Sequence, residues 1–274
     1  MTTQRIEGGR LSKVVGGLLL VLALSRLIEL PTRQLQVSVL GSPLGIDLSG
    51  TTLVLLIVVG LAVTGMQSLL SLHPSAREGG PSPGIVYWIV PALLGAAMVL
   101  WLRQIDDLGR WTLALLAAAV LIPLALLAEY RTVSLTPPER GSAWLQWGRM
   151  VLIHLIALIL FIVIYGMGLR RLLGGPAVWL VTALLGGRFF WGLTGDVRRS
   201  LAYGAAAGVA PALVLGLINV WELSSLSGGW LLLVSFYMAV GLLKERLSHR
   251  LDGRVALEYA IVGLLALAMG LFLL

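Results

Sequence analysis

The chain predicts an all-α integral membrane protein of about nine transmembrane helices, with a short external β-hairpin after helix one. Three observations carry that expectation. Of 274 residues, 58% are hydrophobic and 12% charged, at a mean hydropathy of +0.95, too much apolar surface for one water-soluble core. The apolar residues fall in long runs, and about 20 of them cross a hydrocarbon layer of roughly 30 Å. Short polar segments rich in Gly, Pro and Arg separate these runs, so the whole chain, 1–274, reads as a single polytopic membrane domain.

Charge and composition narrow the function. The net charge of +7 rests on 18 arginines and two lysines, an excess that marks cytoplasmic loops of a membrane chain. No basic stripe with interleaved aromatics lies outside the helices, so nucleic acid is not an expected partner. The absence of cysteine removes disulfides, thiol catalysis, iron–sulfur clusters and zinc-thiolate sites.

The first apolar run, Val14–Leu30, follows Arg5, Arg10 and Lys13 and resembles a signal peptide down to Ala23-Leu24-Ser25. Because it continues through Leu27, Ile28 and Leu30, it is read as an uncleaved helix. In Gln34–Ser49, Leu35, Val37 and Val39 alternate, Gly41–Gly45 has turn chemistry, and Ile46 and Leu48 alternate again. That pattern predicts the hairpin, lying on the membrane surface.

Helix two spans Thr51–Leu72 and stops at His73-Pro74, before a polar loop over Ser75–Gly84. Helices three, Ile85–Leu102, and four, Leu108–Glu129, flank a tight turn holding Arg103, Asp106, Asp107 and Arg110, which forces an antiparallel pair. A loop with Pro137-Pro138 leads into helix five, within residues 143–168, where Trp144 and Trp147 precede an unbroken apolar run from Leu155 to Tyr165. Helix six runs from Pro176, read as a first-turn proline, to Thr194. Helices seven, eight and nine cover Leu201–Trp221, Gly229–Leu247 and Val255–Leu274.

With the N-terminus inside, 12 Lys/Arg fall in inner segments and six in outer ones, which predicts N-in, C-out.

Leu40-Gly41-Ser42-Pro43-Leu44-Gly45, Thr64-Gly65, His73-Pro74, Leu145-Gln146-Trp147 with Arg149, Asn219 with Trp221, Gly228-Gly229 and Glu258-Tyr259 are similar to stretches of a known family. The chain resembles uncharacterised multi-helix membrane proteins of green non-sulfur bacteria. The resemblance implies this topology and a bacterial cytoplasmic (inner) membrane, and it implies no catalytic residues.

Ionisable groups at depth cost about 2.5–3.5 kcal/mol each on insertion scales, so those inside spans are the candidate binding positions. Arg149 lies about 7 Å past Trp144, shallow enough to snorkel. His154, about 15 Å in, is expected as a neutral imidazole hydrogen-bonded to a neighbour; the sharper readings are a proton relay or an axial ligand to a tetrapyrrole. Arg188 lies about 12 Å from the inner surface beside Gly186 and Gly187, and its charge is expected to be compensated by Glu258 near the start of helix nine or by a wet pocket. Asn219 and Glu222 end helix seven at the depth of Arg26, Glu29 and Arg170, where a salt-bridge network is expected.

No nucleophile–base set, paired-glutamate motif, aspartate-rich motif or Walker loop occurs, and Asp106-Asp107 reads as a solvated turn. The expectation is therefore a non-enzymatic scaffold or subunit of a membrane assembly, with lipid and membrane proteins as partners and no metal or cofactor. The alternative is a secondary transporter or flippase for a small or lipidic substrate. It draws on a candidate inverted repeat, 84–123 against 175–211, in which Gly84, Trp88 and Gly95 align with Gly175, Trp179 and Gly186, and Arg110, Ala117 and Pro123 with Arg198, Ala205 and Pro211.

Overall fold

The computed structural model describes residues 2–27, 33–39, 42–71, 84–133, 143–168, 171–221, 223–249 and 252–272. In chain order these form α1 (Thr2–Leu24), β1 (Arg33–Val39), β2 (Ser42–Leu48), α2 (Gly50–Leu70), α3 (Gly84–Leu102) and α4 (Leu108–Val133). There follow α5 (Ala143–Gly166), α6 (Arg171–Thr194), α7 (Val197–Ile218), α8 (Ser225–Leu247) and α9 (Gly253–Phe272). Among the described residues, the eight helices from α2 to α9 are long and apolar enough to cross a membrane. The chain is a polytopic membrane protein. It divides into two compact units: α1 to α4 without the first turns of α3, and those turns, Ile85–Val90, with α5 to α9.

In the first unit, α1 departs from the sequence expectation at both ends. It takes in the polar residues from Thr2 and stops at Leu24 rather than Leu30, so its charged first half keeps it out of the set of eight. The polar half is helical because a neighbour holds it. Arg10 donates to Ser68 Oγ of α2 at 3.3 Å, and Val14 occupies the space that a side chain at Gly65 would need, which fixes α1 antiparallel to α2. At the other end the Ser25 hydroxyl donates back to the Leu22 carbonyl at 2.6 Å, and the chain turns.

Between α1 and α2 the backbone pairs as an antiparallel ladder, Arg33 opposite Leu48 through to Val39 opposite Ser42. Ser42–Gly45, expected in the turn, belongs instead to β2, and the residues between the strands lie outside the description. Ser49 caps α2 by accepting from the Thr52 N–H. Asp107 accepts the Arg110 N–H at 2.8 Å and starts α4, so one of the two adjacent carboxylates is a helix cap; both are exposed, as a solvated turn requires. Gly95 of α3 faces Val58 of α2, where an added Cβ would lie 2.8 Å from a methyl carbon.

In the second unit, α6 and α7 are joined by Gly195-Asp196 alone. Gly195 takes φ +63, and Asp196 caps α7 through the Arg199 N–H at 3.1 Å. The two helices meet on glycine. A Cβ on Gly186 would lie 3.1 Å from Gly204 Cα, and one on Gly208 would lie 2.9 Å from the Trp179 carbonyl oxygen. Trp179 Nε1 then donates to the Ala205 carbonyl at 3.0 Å across the same seam. Pro176 is no first-turn proline: α6 begins at Arg171, which leaves Pro176 inside the helix, its missing N–H matched to the Leu172 carbonyl. The α5–α8 seam repeats the glycine device, with Gly228 against Tyr165 and Gly229 against Ile162. Trp230 Nε1 joins α8 to α9 at the Ala266 carbonyl, 2.8 Å away.

The glycines of the candidate repeat meet different neighbours. Gly186 faces α7, its successor in the chain, whereas Gly95 faces α2, the helix before its own.

Candidate functional site

The polar side chains inside the second unit lie on α5, α6, α7 and α8. Arg188 is 1% exposed and among the largest fully buried side chains of the molecule. Its guanidinium carbon lies 5.1 Å from the centre of the Tyr87 ring, on the first turns of α3. A desolvated cation over an aromatic face gains about 2 kcal/mol or more, a sizeable offset to burial. Glu258, the expected counter-ion, is exposed on α9. The ring face of Tyr87, invisible to helix spacing, brings α3 into this site.

Arg149 is half-buried, and its Nη2 fills the space beside Gly192, 3.3 Å from where a Cβ would stand. Gly192 is one helical turn beyond Arg188. Arg149 of α5 thus brings a guanidinium to the last turn of α6, where carbonyls without intrahelical partners carry partial negative charge that favours cations. The Thr194 and Ser200 hydroxyls, 2.6 Å apart, close that end, and Ser200 also donates to the Asp196 carbonyl at 2.6 Å.

Five residues past Arg149, or about 7.5 Å along α5, lies His154. Its Nδ1 is 2.8 Å from the Met150 carbonyl, which can only accept, so Nδ1 carries the proton in this contact. The Phe236 and Tyr237 rings of α8 flank it at 5.4 and 5.9 Å. Nε2 is buried and makes no hydrogen bond among the described residues, and Thr182 Oγ1, on a residue 0% exposed, makes none either. Among the described residues, no three of His, Cys, Asp and Glu come together as a metal site.

At the opposite end of α5, the Tyr165 hydroxyl reaches the carbonyls of Ile218 and Trp221 at 3.4 and 3.2 Å. Asn219 is half-buried as the C-cap of α7, its N–H bonded to the Leu215 carbonyl at 3.0 Å. Glu222, Glu29 and Arg170, the other members of the salt-bridge network expected there, lie outside the described residues.

Glu129, Thr182, Ser200 and Ser227 are buried polar residues that escaped the sequence reading. Glu129, 1% exposed, was expected as the terminal residue of helix four, but α4 runs one turn further to Val133 and makes it internal. The apolar-to-polar change at Arg131 and Thr132 hid the extra turn. Thr182 gave no signal, because a lone threonine is common in spans.

No curated protein and no solved structure matches the chain. A sequence family described as protein of unknown function (DUF5656) matches residues 30–273, nearly the whole length, and the chain belongs to that family.

Proposed function

We propose that the protein is a non-enzymatic scaffold or assembly subunit of a bacterial inner membrane. The observation that carries this reading is that the polar groups within the second unit serve as internal fasteners. Arg188 rests on Tyr87, Trp179 on Ala205 and Tyr165 on the end of α7, each from one helix to another, and the His154 ring packs against two rings of α8. Polar groups bonded across helix seams stiffen a bundle, and a stiff bundle presents a constant surface to partners.

In this proposal α1 also crosses the bilayer. It runs antiparallel to α2, and Arg26 beyond its end reaches the Asp106 carbonyl; the 16 residues from Arg10 to Arg26 cover about 24 Å. Nine crossings with the arginine bias put the N-terminus inside and the C-terminus and hairpin outside.

A second reading, a carrier for a small or lipidic substrate, is favoured by Nε2 of His154 and Oγ1 of Thr182, buried polar atoms without hydrogen bonds among the described residues. The lack of native cysteine makes the two readings separable. Single His154→Cys and Thr182→Cys chains in native membranes should resist a water-soluble maleimide until denatured. Rapid labelling of either thiol in the folded protein would reveal a wet passage and would overturn the scaffold reading in favour of the carrier.

A further inference from the structure

Within the second unit, α9 packs on α8 along one side, through Gly263 against Met238, Gly270 against Trp230 and the Trp230 Nε1 bond to the Ala266 carbonyl. At about 100° per residue, Arg254, Leu257, Glu258 and Ile261 all lie on the side of the helix away from Gly263. Leu257, Ile261 and Leu264 are 60%, 47% and 68% exposed, and Arg254 and Glu258, in the first turns of the same face, are exposed as well. The two charges are one turn apart, yet neither makes a hydrogen bond or an ion pair among the described residues. Pairing within the helix is weak here for two reasons. Arginine before glutamate is the less favourable order at this spacing, and the start of a helix disfavours a cation.

We infer that this face of α9 pairs with α9 of a second copy of the chain, each Glu258 taking the Arg254 of the other copy. Lipid tails can cover Leu257, Ile261 and Leu264, but they leave without a partner a carboxylate about 7.5 Å into an apolar helix. A second copy supplies the missing cation. Because the face carries both signs one turn apart, it is complementary to itself, as a two-fold contact requires. An axis along the membrane normal keeps both copies in the same orientation and sets the two helices side by side. The rise from Arg254 to Glu258, about 6 Å, is within reach of an arginine stem. Leu257, Ile261 and Leu264, spaced four and three residues apart, then form the seam beyond the charges, with Ile261 at its centre. His154 and Thr182 take no part, so the pairing stands whether the bundle is a scaffold or a carrier.

The test uses the full, cysteine-free chain in native membranes. Under copper–phenanthroline oxidation, Ile261→Cys should give at least fivefold more disulfide-linked dimer than Val209→Cys, a position of matching exposure on α7, 48% against 47%. Glu258→Arg and Arg254→Glu, each of which sets like charges against one another, should lower the Ile261→Cys dimer yield at least fivefold. Exchanging both, Arg254→Glu with Glu258→Arg, should restore it to within twofold. The unaltered chain, labelled at its end and diluted into liposomes, should bleach in two steps, a readout that needs no variant to fold. Equal yields from Ile261→Cys and Val209→Cys, or single-step bleaching throughout, would leave the face to lipid and overturn the pairing. A single charge variant that keeps the full dimer yield would overturn it too, and a disulfide from Ile261→Cys to a different protein would overturn it in favour of that partner.

Discussion

A guanidinium 1% exposed in an apolar bundle has no water to carry its charge, so the protein itself must stabilise it. For Arg188 a visible part of that stabilisation is the Tyr87 ring, which makes the ring rather than the phenol the sensitive element. Tyr87→Phe should therefore shift stability by less than about 0.5 kcal/mol and Tyr87→Leu by about 2 kcal/mol, read as the thermal midpoint in detergent. Arg188→Ala should lower the midpoint more than Arg149→Ala, since it empties a fully buried volume, whereas Arg149 is half-buried and keeps part of its head near water. Equal tolerance of Tyr87→Leu and Tyr87→Phe would remove the cation–ring contact as a source of stability.

Helix seams closed on glycine have no slack, and α7 contains both a filled and an open case. A Cβ at Gly204 would run into the Ala183 carbonyl and the Gly187 backbone, which cannot step aside as a side chain end can, whereas Gly216 has nothing within 4 Å. Gly204→Ala should cost about 1–3 kcal/mol by forcing the pair apart, and Gly216→Ala should gain up to about 1 kcal/mol from helix propensity. Thermal unfolding of the two variants side by side checks this, and a neutral Gly204→Ala would contradict the seam. Most elements were legible because an apolar run of span length has few other solutions. The ends were not. The helical arm of α1 depends on Ser68, and the strand assignment of Ser42–Gly45 on pairing with β1, and neither partner is near in sequence. The site was half legible for the same reason: depth singled out His154 and Arg188, but Tyr87 became a partner only through tertiary packing.

For the molecule as a whole, the topology is a set of sidedness statements that thiol labelling can read in the cysteine-free chain. Gln104→Cys in the α3–α4 turn should react from outside intact cells, and Ser248→Cys after α8 only once the membrane is opened. Thr3→Cys and Gln36→Cys should lie on opposite sides if α1 crosses, and a shared side would reduce the crossings to eight. The glycine-sealed pair α6–α7 also bears on how such a protein is made. α6 has the lowest mean hydropathy of the eight spans, 1.3, and it carries the buried arginine, so it is the segment least able to partition into lipid by itself. Its two-residue link to α7, at 1.9, lets the ribosome deliver both as a single hairpin whose second arm draws in the first. α6 alone should therefore insert poorly into membranes during cell-free translation and insert well once α7 follows it, which would make insertion a property of the pair.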